Sequence, residues 1–263
     1  MPDMTLLITM SLLVVLPGIL LVVGGGARLP ILMYHKVRPG TADSLTVPID
    51  VFRRQLEVLA QRGYESISFA DLIEHETQGR PLPEKPVLLT FDDAYADFLD
   101  HPLSVMKDLG FRATVFLPVG HVGGENAWDG GGEAIMNWDD VRSVSGEGIE
   151  FGLHSWNHDK YTDLEPDEIE EDLRRCLDRL ASESVPHVPV LAYPYGGLPR
   201  KGEPRARLET VLEQAGIRYA LRIGSRVHRL PTRQRFALRR VPMEGNDTGL
   251  RLWCKLFLGR TRL

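Results

Sequence analysis

Short apolar segments alternate along this chain with segments of helical periodicity, and this alternation is the strongest constraint on its fold. The clearest strand-like segments are Pro86–Phe91, Ala113–Leu117 and Ile149–Leu153, in which apolar residues occupy mostly consecutive positions. Such strands are buried on both faces, as in a parallel sheet that helices cover on each side. The sequence therefore predicts an α/β fold.

The predicted helices have apolar residues at helical spacing and are bounded by capping residues, Pro or Gly. They span Val51–Arg62, Ala70–His75, Pro102–Leu109, Asp139–Val144, Pro166–Ala181 and Arg205–Ala215. The other predicted strands are Pro30–Tyr34, Val188–Tyr193, Ile217–Leu221 and Phe236–Val241. Seven or eight strand–helix units in one domain favour an α/β barrel over an open parallel sheet.

Residues 1–27 form a segment separate from this domain, which comprises residues 28–263. No charged residue occurs in Met4–Ala27, and an apolar span of about 20 residues is what the hydrocarbon core of a bilayer requires. A cleavable signal peptide is the alternative, because Gly25–Ala27 offers the small residues that a signal peptidase needs. We predict a single-pass anchor in the cell membrane with the domain outside the cytoplasm, or a secreted protein if the leader is cleaved.

The charge balance argues against a nucleic-acid partner. Lys and Arg number 31 against 36 Asp and Glu, and the formal net charge is -5, whereas nucleic-acid-binding domains usually carry a basic excess. The two cysteines, Cys176 and Cys254, are too few and too far apart for a disulfide scaffold or a thiolate metal site.

The C-terminal segment Leu250–Leu263 mixes large apolar residues with arginine and lysine. This pattern predicts a basic amphipathic helix. The helix could cover the bottom of the barrel or lie on an anionic membrane surface.

Polar residues that could carry chemistry follow the predicted strands directly. Asp92 and Asp93 follow one strand, His154 and His158 follow another, His35 follows a third, and a Tyr-Pro-Tyr-Gly sequence follows a fourth. In parallel α/β folds the carboxyl ends of the strands form the rim at which substrates bind. We therefore expect these side chains to share one site.

Two histidines at positions i and i+4, with a carboxylate from another strand, make a three-ligand site that leaves room for water, as in catalytic zinc sites. We predict that Asp93, His154 and His158 bind a divalent metal: zinc first, with cobalt, nickel or manganese as alternatives. Asp92 is then free to accept a proton from water on that metal. Taken singly, the aspartates could be turn residues and the histidines locally hydrogen-bonded, but their joint placement favours the metal site.

The segments Thr90–Asp93 and His154–His158 resemble the first two motifs of the polysaccharide deacetylases, the NodB-homology group of carbohydrate esterase family 4. The resemblance extends from Leu29 to Glu244. It implies a distorted (β/α) barrel of about seven parallel strands, and metal-dependent hydrolysis of the N-acetyl amide on a glycan. The expected substrate is an N-acetylglucosamine-containing polysaccharide.

The resemblance also implies residue roles. Asp92 would be the general base, the three residues named above the metal ligands, and the backbone N–H of Tyr195 a donor to the oxyanion. We further predict that Tyr193, Trp128 and Trp156 bind substrate. Trp128 lies in a glycine-rich rim loop, and for Trp156 packing in the core is an equal alternative.

The sequence departs from the common family pattern at several positions. Ala192 stands where many members have an Arg that orients the base, Ala94 stands where Gly usually follows the two aspartates, and Ile217–Arg226 contains no Asp-based fourth motif. These departures keep open a catalytically inactive glycan-binding relative. A deacetylase or deformylase of a lipid-linked sugar is a further alternative, which the predicted anchor would suit.

The general acid is predicted from the N-terminal motif. Tyr34–Val37 resembles the subgroup that includes biofilm poly-N-acetylglucosamine deacetylases, in which an N-terminal His supplies the acid. We therefore predict His35 as the acid, with His228 as the alternative.

Overall fold

The structure is a computed structural model that describes residues 26–260. The predicted membrane helix falls almost entirely on residues 1–25 and so lies outside the described residues. Within residues 26–260, every helix is too short or too polar to cross a membrane. The division between residues 1–27 and 28–263 stays a prediction.

Strands and helices alternate along the described chain. The strands are β1 (Arg28–Leu29), β2 (Ile31–Tyr34), β3 (Lys36–Arg38), β4 (Thr46–Pro48), β5 (Glu65–Ser66), β6 (Pro86–Phe91), β7 (Ala113–Leu117), β8 (Ile149–Leu153), β9 (Val190–Ala192), β10 (Tyr219–Ile223), β11 (His228–Arg229) and β12 (Leu238–Pro242). The helices are α1 (Ile49–Gln61), α2 (Phe69–Gln78), α3 (Asp97–Asp100), α4 (Pro102–Leu109), α5 (Trp138–Val144), α6 (Pro166–Ser182), α7 (Glu203–Gln214) and α8 (Gly249–Leu258).

Seven parallel strands close into a barrel. Their order is β2, β6, β7, β8, β9, β10 and β12, and β12 pairs with β2 to complete the circle. The predicted barrel of about seven parallel strands is confirmed. The predicted elements match in order, and most of their ends shift by one or two residues, as expected where a terminal turn frays.

Two apolar layers hold the barrel together. Alternate residues of the strands, among them Leu88, Phe116, Val190 and Leu238, form one buried cluster inside it, and Phe69 of α2 belongs to the same cluster. The intervening strand residues join the helices in a second, larger cluster around the outside. This alternation follows from the two-residue period of a strand, which sends neighbouring side chains to opposite faces.

One crossover lacks an α-helix. The chain passes from β10 to β12 through the short strand β11 and a 3-10 turn at Arg235–Ala237. Arg222 and Arg239 are register partners on β10 and β12, at positions where alternation points side chains outward. The outer face of these two strands therefore carries arginines in place of an apolar helix contact.

The C-terminal helix α8 packs on the side of the barrel. Its Leu252 and Leu256 belong to the outer apolar cluster, and Lys255 donates a hydrogen bond to the carbonyl of Pro242 at 2.7 Å. The predicted amphipathic helix is present, and it covers the flank of the barrel, where its leucines join the outer cluster.

Candidate active site

Asp92 and Asp93 stand where β6 leaves the barrel. All six residues of β6 are buried, and the chain then turns sharply, with φ of 68° at Asp93 and 52° at Ala94. The left-handed region costs a residue with a Cβ roughly 1–2 kcal/mol, which explains why glycine would be preferred at position 94. Strained backbone of this kind persists where the surrounding structure imposes it, as at active sites.

The predicted ligands converge on one point. The Nε2 atoms of His154 and His158 lie 3.3 Å and 3.2 Å from Oδ1 of Asp93, and one ligand atom from each residue lies within 4.8 Å of the others. All three side chains are buried. His158 and Ser155 also have positive φ, 63° and 60°, so the loop after β8 is bent to bring the second imidazole back beside the first.

These three residues suit a divalent cation. Oδ1 of Asp93 is buried and accepts no well-aligned hydrogen bond within the described residues. Nδ1 of His154 lies 2.7 Å from the carbonyl oxygen of Ala192 and donates to it, so the Nε2 lone pair faces the cluster. One carboxylate and two imidazoles with open positions are the donor set of catalytic zinc sites.

The electrostatics of the cluster agree with cation binding. Burial alone would raise the pKa of Asp93, but His154 and His158 hold that pKa well below its usual value. Burial lowers the pKa of His158 and keeps its imidazole neutral, as a ligand must be. For His154, the charges of Asp92 and Asp93 outweigh burial and raise the pKa. A bound cation would supply that positive charge in place of a proton.

Asp92 is held by a residue that the sequence analysis missed. Arg240, fully buried inside the barrel, donates from Nη1 and Nη2 to the two oxygens of Asp92 at 2.5 Å and 2.6 Å. Burial alone would raise the pKa of Asp92, but the guanidinium outweighs it and keeps the pKa below its usual value. Arg240 therefore holds Asp92 although position 192 is Ala. The sequence signal that could have identified Arg240 was its inward position in the predicted strand Phe236–Val241.

His35 lies beside the same carboxylate. Its Nε2 is 3.9 Å from Oδ2 of Asp92, and its side chain is mostly buried. The alternative, His228, is on β11, which pairs with β1, and its Nε2 accepts a hydrogen bond from the backbone N–H of Arg239 at 2.8 Å. The structure therefore brings His35 into the site and leaves His228 outside it, while the role of His35 as the acid stays a prediction.

Of the two tyrosines after β9, only one reaches the surface of the site. Tyr195 is 53% exposed and has a φ of 56°, and the centroid of its ring lies 4.6 Å from that of His158, with the two planes at 75°. Tyr193 is fully buried, and its hydroxyl donates to the carbonyl of Phe236 at 3.1 Å. The side chain of Tyr193 faces the outer core and has no exposed surface in this structure, and its contact with substrate stays a prediction.

The ring of Trp128 packs against His158, a predicted metal ligand, and is buried, not exposed to solvent for contact with a sugar. Its ring stacks on His158 with the centroids 4.1 Å apart and the planes 10° apart, and it is only 7% exposed. The glycine-rich loop folds back on itself here, since the Asn126 side chain donates to the Trp128 carbonyl at 2.6 Å. The predicted sugar stacking on Trp128 has little surface available in this structure.

Trp156 follows the packing alternative. It packs against the outer apolar cluster, and its ring lies under the Arg175 guanidinium at 4.2 Å. Its backbone N–H donates to Asp172 at 2.8 Å, and Asp172 also accepts from the hydroxyl of Tyr161 at 2.6 Å. Asp172, which the sequence analysis did not identify, therefore anchors the loop between the two histidines.

A charged network joins the glycine-rich loop to the strand that follows His35. Glu133 of the loop accepts from Lys36 at 3.0 Å and from Arg38 at 2.6 Å, and these hydrogen bonds lower the pKa of Glu133 to about 2. Asp97 lies beside the network, 3.9 Å from Nε of Arg38. Within the described residues, neither oxygen of Asp97 has a hydrogen-bond partner.

Asp97→Asn is expected to stabilise the protein at pH 8. Burial raises the pKa of Asp97 to about 7, so the folded chain binds this proton more tightly than the unfolded chain. Stability contributed by the proton is lost as the pH rises from about 4 to about 7, at a cost of about 4 kcal/mol at most. Urea unfolding at pH 5 and pH 8 should show a smaller loss with pH in the variant. Asp100→Asn, at an exposed residue nearby, is the control. If the free energy of unfolding depends on pH equally in Asp97→Asn and in the wild type, the prediction is contradicted.

A closed parallel barrel with an Asp–His–His cluster and a second carboxylate at its rim is the arrangement typical of a metal-dependent hydrolase. The chain belongs to the polysaccharide deacetylase family, whose sequence profile matches residues 79–220. The matched region includes Asp92, Asp93, His154 and His158.

Curated relatives show the same affiliation. YxkH of Bacillus subtilis (strain 168), whose name assigns it to the polysaccharide deacetylases, is 27% identical over 173 residues, which is 65% of this chain and 57% of that protein. Poly-beta-1,6-N-acetyl-D-glucosamine N-deacetylase of Escherichia coli (strain K12) is 31% identical over 135 residues, 47% of this chain and 20% of that protein. The chain thus spans only part of each of these relatives.

Solved structures share the fold. The deacetylase PplD of Streptococcus pyogenes, in complex with acetate, superposes with a TM-score of 0.72 at 20% identity, over 85% of this chain and 95% of that one. IcaB from Ammonifex degensii superposes with a TM-score of 0.71 at 24% identity, over 85% of this chain and 94% of that one.

Proposed function

We propose that this protein is a glycan N-deacetylase that removes acetyl groups from an N-acetylglucosamine-containing polysaccharide. The observation that carries the proposal is the placement of Asp92, ionised and held by Arg240, directly beside the cluster of Asp93, His154 and His158. A binding protein would need no second buried carboxylate next to a cation site. Poly-β-1,6-N-acetylglucosamine is the first substrate to test, because the E. coli relative is named for its action on that polymer.

The proposed chemistry divides between a cation and the residues of this chain. A divalent ion on Asp93, His154 and His158 would lower the pKa of a water ligand towards 7 and polarise the acetyl carbonyl. Asp92 accepts the proton from the attacking water. Its lowered pKa keeps it ionised at neutral pH, and the two hydrogen bonds from Arg240 fix its orientation.

The remaining groups act on the two ends of the amide. The backbone N–H of Tyr195 donates to the developing oxyanion. The departing amine needs a proton, and His35, whose Nε2 lies 3.9 Å from Oδ2 of Asp92, donates it. The unusual backbone of Tyr195 supports this arrangement, since a φ of 56° turns the peptide of the Pro-Tyr pair at the rim.

The proposal is tested by acetate release from poly-N-acetylglucosamine, peptidoglycan and chitooligosaccharides in one assay with zinc, cobalt, nickel and manganese. Acetate from one of these polymers supports the proposal. No acetate from any of them with a stoichiometric metal bound would favour an inactive glycan-binding protein. Release of acetate or formate only from a lipid-linked amino sugar would show that the substrate is a lipid-linked sugar and not a polysaccharide.

His158→Ala is expected to reduce bound metal and to lower acetate release by about 100-fold, because it removes one of three ligands. Elemental analysis of the purified variant and the acetate assay measure the two effects. His228→Ala is the matched control, since His228 lies outside the site, and it should retain both. One equivalent of metal still bound to His158→Ala would exclude this ligand set.

We also propose that residues 1–27 tether the domain to the cell membrane on its outer side. The uncharged apolar sequence between Met4 and Ala27 supports the proposal. Flotation of the full chain with vesicles tests it. A mature protein that begins near residue 28 would show a cleaved leader instead.

A further inference from the structure

An open groove on the barrel, whose lining contains none of the active-site residues, is rich in arginines. Arg226, Arg229, Arg233 and Arg239 line this groove of about 580 Å³, and no carboxylate does. All four residues are exposed. We call these four residues and Arg28 the arginine face.

The positive charge of the arginine face is uncompensated. Within residues 26–260, none of the four groove arginines forms an ion pair with a carboxylate, although arginines elsewhere on the surface do so repeatedly. Arg28 pairs in register with Arg229 across β1 and β11. Burial, and then the charge of Arg229, lower the pKa of Arg28. A chain with a net charge of -5 therefore concentrates cations on one surface, which suits an anionic partner.

Aromatic side chains border the arginine face. The guanidinium of Arg28 lies 4.1 Å from the ring centroid of Phe257, and Phe257 stacks on Trp253 with a centroid distance of 5.2 Å and an interplanar angle of 7°. Phe257 is 44% exposed, and Gly259, at the end of α8, packs against the backbone of Arg226. Aromatic rings beside arginines are typical of surfaces that lie in the headgroup region of a membrane.

The position of the arginine face indicates which anionic partner it meets. Gly26, near the end of the uncharged segment Met4–Ala27, lines the same groove. We propose that the arginine face docks on anionic phospholipid headgroups of the membrane to which residues 1–27 are proposed to tether the domain. The inference rests on the proposed membrane tether and is independent of the proposed deacetylase activity.

Docking would orient the barrel. Arg28 and its register partner Arg229 lie before the start of β2, and His35 follows its end, so this part of the arginine face and the active site lie at opposite ends of β2. A single apolar anchor leaves a domain free to rotate, whereas a second contact restricts its orientation. With this face on the membrane, the active site opens away from the lipid, towards a polymer in the cell envelope.

The test uses the full chain in vesicles that contain bromine-labelled lipid, which quenches only tryptophans in contact with the bilayer. Vesicles of phosphatidylcholine alone are compared with vesicles containing 30% phosphatidylglycerol. We expect quenching in the anionic vesicles only, its loss in Trp253→Phe, and its suppression at 0.5 M salt. The triple variant R226Q/R229Q/R233Q should weaken docking by roughly a hundredfold, from about fivefold for each arginine near the surface.

Matched measurements separate this inference from the two earlier proposals. The variant R53Q/R54Q/R174Q removes three exposed charges elsewhere and should dock like wild type. Acetate release from a soluble oligomer should be unchanged in both triple variants. Wild-type chain that floats with vesicles but shows no quenching dependent on Trp253 would overturn the docking face and leave the tether standing. If the wild-type chain does not float with vesicles, both the tether and the docking face are overturned. If the arginine face binds a soluble polyanion but its substitutions leave vesicle docking unchanged, its ligand is another polyanion and not the membrane.

Discussion

Asp92→Asn is expected to lower kcat/KM for acetate release by about 1,000-fold, the middle of the range for loss of a general base. The amide keeps the size of the carboxylate but cannot accept the proton of the attacking water. The three predicted ligands are untouched, so the variant should still bind one equivalent of metal. Acetate assays and elemental analysis on the same preparation measure both quantities.

A second isosteric change provides the control for this result. Asp97→Asn makes the same chemical change at a buried carboxylate a few residues away, and it should keep activity within about threefold of wild type. Activity in Asp92→Asn above a tenth of the wild-type value, with metal bound, would show that another group removes the proton. His35 would then be the first residue to examine, because its Nε2 lies 3.9 Å from Oδ2 of Asp92.

Arg240→Met is expected to destabilise the fold by about 3–5 kcal/mol, because it leaves the buried carboxylate of Asp92 without its counter-ion. The same change should move the acidic limb of the pH–rate profile to higher pH. The guanidinium now offsets the effect of burial on the pKa of Asp92, and without it burial raises that pKa. Chemical unfolding and kcat/KM across pH measure the two effects.

The adjacent arginine supplies the control. Arg239→Met alters the next residue, which is exposed and outward-facing, and should change neither stability nor the pH profile on a soluble substrate. In the double variant D92N/R240M no charge is buried alone, so part of the lost stability should return in a double-mutant cycle. An unchanged pH profile in Arg240→Met would mean that Arg240 only fills space and does not tune the base.

The fold was predictable because its signals are local. Consecutive apolar residues such as those of β6 and β7 are buried on both faces, and helices such as α2 and α5 begin at capping residues that the sequence shows. The predicted metal cluster was accessible for the same reason. Its residues follow two strands directly, and parallel strands in a barrel all end at one rim.

The side-chain positions that the sequence did not predict share a physical cause. Tyr193 and Tyr195 are two residues apart in one motif, yet only Tyr195 reaches the surface. Trp128, in a glycine-rich loop, becomes buried because that loop folds over His158. Exposure of these side chains depends on how loops pack against other parts of the chain, and sequence spacing carries no information about that.

By itself, the sequence determined the parallel α/β architecture, the position of the candidate site at the carboxyl ends of the strands, and the candidate metal ligands. These features depend on strand burial and motif spacing, which are properties of short segments. Only the tertiary structure decided which arginine holds Asp92 and which histidine lies next to it. Arg240 is 148 positions away from Asp92, and they meet because β12 pairs with β2 and β2 with β6. The pairing of distant strands places β12 in the barrel wall, and alternation along that strand then points Arg240 into the barrel and Arg239 towards solvent.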